Sequence, residues 1–277
     1  MSTPHPRVSA SAGNDSNQDQ QACAGFSQAD LLTVIGVLVL LALLLTPALA
    51  RTRVTDQAFQ CRNNMRQLIQ GWRMYAEDNS DKLPNCFDWV WGAMSYFANN
   101  TDNTNVTYLC TSLLGPYVRD VAVYKCPADR SLAVEYASRL PRVRSVSISQ
   151  SFSEQNEGHL EDTRKGYYRH YLKAVDMVVP PPAKLWVMID ESPDSINDGA
   201  FAVQMDPYGS VWQDVPTILH DGGCGFAFAD GHSDIKRWTD RRTLAMKVTY
   251  TTTSTYAVTQ PNNPDIKWLE DRTTAPK

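Results

Sequence analysis

The 277 residues carry 26 basic and 30 acidic side chains, so the formal net charge is only −4. With no broad cationic surface and no basic stripe interleaved with aromatics, nucleic acid is not an expected partner. The length suffices for one core of ordinary domain size beyond any terminal segment.

Residues 1–25 are rich in Ser, Gln and Asn and hold one arginine, Arg7, against Asp15 and Asp19. That is the composition of a solvated leader. A secretory signal runs basic, then apolar, then small at its cleavage site. Here the order is reversed, so a cut would fall before the apolar segment and leave it attached. Cys23 has no apolar segment ahead of it and gives no reason to expect lipidation.

Leu31 to Ala50 is an uncharged run of twenty residues, interrupted only by Thr33, Gly36, Thr46 and Pro47. At ~1.5 Å per residue it measures about 30 Å, the thickness of a bilayer core, and is expected to cross a membrane once. Asp30 at its start has two readings: a helix cap at the positive end of the dipole, or a carboxylate that needs a cationic partner at membrane depth. Arg51 and Arg53 follow the run; the simple charge rule would keep the large domain on their side, in the cytoplasm.

The helical pattern continues with Cys61, Met65, Leu68, Ile69, Trp72 and Tyr75 on one stripe and Arg62, Asn63, Arg66, Gln67 and Arg73 off it. A helix from about Asp30 to Glu77 follows, with Pro47 expected to bend it or to remove one hydrogen bond. Asp78-Asn79-Ser80-Asp81 stops it and Leu83-Pro84 prevents resumption. Asp78, Asn79 and Asp81 are also weak calcium candidates, although such clusters commonly just end helices.

Beyond residue 81 the chain reads as short strands, turns and loops. Val121 to Tyr124, Val143 to Ser149 and Lys184 to Ile189 are predicted strands, Asn99 to Thr107 a loop, and Pro180-Pro181-Pro182 a stiff connector. Gly225 to Trp238 reads as strand, Asp230-Gly231 turn, strand. His220 has three readings: hydrogen bonding within this hairpin, metal binding with Asp230 or His232, or base catalysis. No nucleophile elbow, phosphate loop or dinucleotide fingerprint is present. Without Cys23, five cysteines remain, Cys61, Cys86, Cys110, Cys126 and Cys224, allowing at most two bridges. Cys61, on the helix stripe, reads as packing.

Gly25-Phe26-Ser27-Gln28-Ala29-Asp30 ahead of the apolar helix resembles the type IV prepilin signal. His220, nine residues, then Asp230-Gly231 resembles the C-terminal H-X9-DG signature of pseudopilin-like proteins of Planctomycetes and Verrucomicrobia. Cys61 to Leu68 and Cys126-Pro127-Ala128-Asp129 are similar to that group as well. The resemblance implies cleavage between Gly25 and Phe26 by a prepilin peptidase, N-methylation of Phe26, and pairing of the new amine with Asp30 of a neighbouring subunit. Asp30 stands where the family mostly has glutamate. The implied partners are like pilin subunits and an inner-membrane assembly platform, with the bulk of the chain outside the cytoplasm of a bacterium.

The expected fold is thus α+β and pilin-like: a leader over 1–25, a transmembrane helix over 26–50, its extracytoplasmic continuation over 51–80, and a mainly antiparallel β-sheet domain over 81–277. The expected function is a non-enzymatic subunit of a type II secretion or type IV pilus-like filament, with no required cofactor. Two alternatives remain: an anchored metal-dependent hydrolase using His220, Asp230 and His232 or Asp190, and a tethered glycan- or protein-binding module using Trp89 and Trp91.

Overall fold

The structure, a computed structural model, describes Met1 and residues 27–154, 158–160, 164–205, 210–251 and 257–277; for residues 44–53 only the helical backbone is described. The chain divides into two compact units, Met1–Ala48 and Leu49–Lys277.

Helix α1 spans Gln28–Asp78 and continues through Pro47. In the first unit it opens on a reciprocal cap. The Ser27 backbone N–H and hydroxyl donate to Asp30 Oδ2 at 2.9 and 2.8 Å, while the Asp30 N–H donates to Ser27 Oγ at 3.2 Å. Asp30 therefore satisfies donors that a helix start leaves free, as its capping reading expected. The large apolar side chains from Leu31 to Leu43 are all exposed, from 46% at Val34 to 69% at Leu32. The membrane-spanning first half is corrected here: among the described residues no helix is long and apolar enough to cross a membrane.

In the second unit the predicted stripe is buried, apart from Tyr75, which is half-buried. Cys61, Met65, Leu68, Ile69 and Trp72 are each at most 1% exposed, and Ala76 extends the row. The helix ends where the sequence placed its stop. Ser80 and Asp81 adopt positive φ (58° and 62°), and the Asp81 N–H returns to the Ala76 carbonyl.

Among the described residues nine strands follow: β1 (Leu132–Glu135), β2 (Ser138–Pro141), β3 (Val146–Ser149), β4 (Trp186–Asp190), β5 (Ala200–Phe201), β6 (Val211–Trp212), β7 (Gly223–Phe228), β8 (Ser233–Arg237) and β9 (Val258–Thr259). The main sheet has the order β5-β3-β4-β7-β8. Its pairings are antiparallel except β3 with β5, which run parallel, so the sheet is mixed. Strands β1 with β2 and β6 with β9 form two small antiparallel ribbons.

Side-chain size along β7 explains how α1 packs on this sheet. Period-two alternation sends Gly225 and Ala227 to one face and Cys224, Phe226 and Phe228 to the other. The small face meets α1: a Cβ at Gly225 would lie 2.7 Å from Cys61 Sγ, and Ala227 joins Met65, Leu68 and Trp72 in one core. The aromatic face joins Trp186, Phe201, Trp212 and Trp238 with Ile266 and Leu269 of a short helix, Pro264–Glu270, in a second core. The sheet is therefore sandwiched, with a helix on each side.

Two local expectations differ. Val121–Tyr124 is a 3-10 turn rather than a strand: Asp120 caps the Ala122 N–H, and the consecutive residues Val123 and Tyr124 are both buried. Asn99 to Thr107 is not an open loop: Thr101–Asn103 forms a 3-10 turn capped by Asn100, and a short helix, Thr107–Cys110, follows.

Candidate metal centre

Among the described residues, one group of His, Cys and acidic side chains converges closely. Cys61, Cys126, Asp190 and His220 each offer a donor atom, all of them buried, and these atoms lie within 4.8 Å of one another.

Each arrives from a different part of the fold. Cys61 stands on the buried stripe of α1, at its contact with Gly225. Cys126 follows the 3-10 turn, and its backbone N–H donates to Ser145 Oγ at 2.8 Å. Asp190 is the last residue of β4, where the strand leaves the sheet. His220 precedes β7; its backbone exchanges hydrogen bonds with Gly223 at 3.2 and 3.1 Å, across a turn in which Asp221 and Gly222 both take positive φ.

His220 Nε2 lies 3.2 Å from Cys126 Sγ and 3.9 Å from Asp190 Oδ2. Ser145 holds two of the four groups, since its hydroxyl also donates to Asp190 Oδ1 at 2.7 Å. The Asp190 main-chain carbonyl accepts from Cys224 Sγ at 3.1 Å, which fixes the strand end from the opposite side. Within this group two buried atoms have no hydrogen-bond partner: Asp190 Oδ2 and His220 Nδ1.

The electrostatics follow from burial, which disfavours every charged form. Burial pushes the Asp190 carboxyl up to about 7, against the lowering pull of the Cys126 thiol and the Ser145 hydroxyl. Burial likewise lowers His220 to about 4 and raises the Cys126 thiol well above its ordinary value. At Cys61 the hydrogen bond with Cys126 lowers the thiol, but burial and the Asp190 carboxylate outweigh it and leave it raised. Burial thus disfavours the charged form of each of the four groups. Two thiols, an imidazole and a carboxyl are what a borderline-soft divalent ion uses.

The other sequence candidates lie elsewhere. Asp230 and Gly231 form the β7–β8 turn, with Gly231 at φ +98°. Asp230 Oδ1 accepts from the His232 N–H and sits 2.5 Å from His232 Nδ1, at the surface. His220 is at the other end of β7, six residues long and so ~20 Å away at about 3.3 Å per residue. The His220 and Asp230-Gly231 motif therefore marks the two ends of one hairpin and does not bring His220 together with Asp230 or His232. Asp78 accepts from the Tyr117 hydroxyl and Asn79 donates to the Tyr75 carbonyl, so both serve the helix end. Trp89 is fully buried, donates to the Gly199 carbonyl at 2.7 Å and stacks on Tyr124. Trp91 is 66% exposed, so the two tryptophans do not line a common groove. Gly25 and Phe26 lie outside the described residues. The five described cysteines are free thiols.

Sequence reasoning assigned Cys61 to packing and Asp190 only to an alternative. The signal was nonetheless there: Cys61 and Cys126 each open one of the quoted family-like segments, and His220 opens a third. Compared with known protein families, curated proteins and solved structures, the chain matches none.

Proposed function

We propose that the chain is a non-enzymatic, pilin-like assembly subunit, matured by a prepilin peptidase between Gly25 and Phe26 and joined to like subunits through the first part of α1. The single observation that carries this reading is the helix face itself. From Leu31 to Leu43 it exposes ten large apolar side chains, Leu31, Leu32, Val34, Ile35, Val37, Leu38, Val39, Leu40, Leu41 and Leu43, and no polar side chain other than Thr33. A monomer gains nothing from such a surface, whereas like helices packed side by side would bury it. The prepilin-like junction directly ahead of it supports the same reading, and the assembly platform and a type II secretion or type IV pilus-like filament are the partners that reading entails.

The hydrolase alternative draws no support from Asp230 and His232, which pair with each other at the surface. The binding-module alternative draws none from Trp89, which is spent on the core.

Intact-mass analysis of protein from peptidase-containing cells tests maturation: we expect loss of residues 1–25 with an added methyl group, and retention of all 277 in Gly25→Ala. Leu38→Asp, which places a charge in the middle of the apolar face, is expected to abolish crosslinking between subunits while leaving the melting of the Leu49–Lys277 unit unchanged. Uncut wild-type protein, together with normal crosslinking in Leu38→Asp, would refute the proposal.

A further inference from the structure

We infer that Cys61, Cys126, Asp190 and His220 form a tetrahedral zinc site that fastens α1 to the loops at one end of the sheet. This stands apart from the assembly reading, because it concerns only the Leu49–Lys277 unit.

Geometry carries the assignment. In a tetrahedral zinc site, with Zn–S at ~2.3 Å and Zn–N or Zn–O at ~2.0 Å, neighbouring donors are separated by about 3.8 Å (S to S), 3.5 Å (S to N) and 3.3 Å (N to O). The observed separations are 3.2 Å for Cys126 Sγ to His220 Nε2 and 3.9 Å for His220 Nε2 to Asp190 Oδ2, with every pair inside 4.8 Å. Closing the tetrahedron needs shifts of well under an ångström along those two edges.

A second observation points to the same ligand. Asp190 Oδ2 is fully buried and has no hydrogen-bond donor, although it faces His220 Nε2 at 3.9 Å, beyond hydrogen-bond range. A buried carboxylate oxygen left without a partner is costly. A cation at the centre of the four donors would satisfy it. The other oxygen is already held by Ser145, which also fixes the Cys126 backbone, as expected of an outer group that aims metal ligands.

The donor chemistry selects zinc over the hard ions. Calcium and magnesium demand oxygen ligands, whereas two thiolates and an imidazole suit zinc, with four protein ligands closing the shell as in structural sites. Binding releases the two thiol protons, and the Asp190 carboxyl proton wherever it is present, to solvent and forms two Zn–S bonds, one Zn–N bond and one Zn–O bond, with no change of oxidation state. A cavity of about 690 Å³ lined by Val54, Thr55, Ala58, His220, Asp221, Ile235 and Arg237 reaches His220 from outside and supplies an entry path.

The test uses the full-length chain. Purified without chelator, it is expected to carry a single zinc by elemental analysis. Stripped and reloaded with Co²⁺, it should develop thiolate-to-cobalt charge-transfer absorption and the intense visible bands of a tetrahedral ion. Both signals should vanish in Cys126→Ser and fall sharply in His220→Ala. Asp190→Cys, which adds a third thiolate, should raise the charge-transfer band by about half. If the Cys126→Ser or His220→Ala protein fails to fold, the wild-type cobalt spectrum and the Asp190→Cys increment decide alone. Wild-type protein that binds neither metal at its thiols, or native protein whose mass shows a Cys61–Cys126 disulfide, would overturn the assignment.

Discussion

Replacing Gly225 by alanine tests how closely α1 approaches the sheet. The added methyl would lie 2.7 Å from Cys61 Sγ and 3.5 Å from the end of Met65. Ordinary contact is roughly 3.5–4.0 Å, so about 1 Å must be found in a close-packed core, at a cost of about 1–3 kcal/mol. Alanine also relieves the entropic penalty of glycine in a strand by roughly 0.5–1 kcal/mol, leaving a net loss of about 0.5–2 kcal/mol. In a Cys61→Ala background the clashing sulfur is gone, and the same change should be neutral or slightly stabilising. Urea unfolding of the four metal-stripped proteins, wild type, two singles and the double, gives the coupling directly; we expect ~1–3 kcal/mol, with a melting shift of roughly 2–4 °C per kcal/mol. If the two single costs add to within about 0.5 kcal/mol, α1 does not press on β7 through this pair and the packing argument fails.

Ser145→Ala removes the hydroxyl shared by Asp190 and the Cys126 N–H. Zinc affinity measured by chelator competition should fall ~10–100-fold, and the metal-free protein should lose about 1–3 kcal/mol; an unchanged affinity would show that the serine does not aim the donors. Burial raises the Asp214 carboxyl to about 7, against the opposing hydrogen bond from the Ala202 N–H. The folded pKa lies above the unfolded one, so the folded state keeps a proton that the unfolded chain has released. Its stabilisation is full below about pH 4 and is lost as pH rises through about 7. Asp214→Asn keeps an oxygen for Ala202 and should reduce the fall in urea midpoint between pH 4.5 and 7.5; an equal fall in both proteins would contradict the shift.

What the sequence decided by itself is what short-range chemistry decides. The stripe from Cys61 to Trp72 fixed which face of α1 is buried, since apolar side chains at helical spacing have one way to leave water. The Asp78–Asp81 stop, the Lys184–Ile189 strand and the Asp230-Gly231 hairpin followed from equally local rules of turn geometry and alternation. Val121–Tyr124 misled because a short apolar run does not distinguish a strand from a buried turn. Alternation around β3 does not report burial: Ser145, just ahead of the strand, and Ser147 within it are buried and bond the equally buried Asp190 and Glu191.

The site itself only the tertiary structure decided. Cys61, Cys126, Asp190 and His220 lie between 30 and 159 residues apart along the chain and belong to a helix, a turn exit, a strand end and a pre-strand loop. No periodicity links such segments. They meet because small residues on β7 let α1 come close and because Ser145 ties the Cys126 turn to the end of β4. The His220 to Asp230-Gly231 spacing, legible as a motif, records the length of a hairpin, while the chemistry of His220 lies with partners that the spacing does not name.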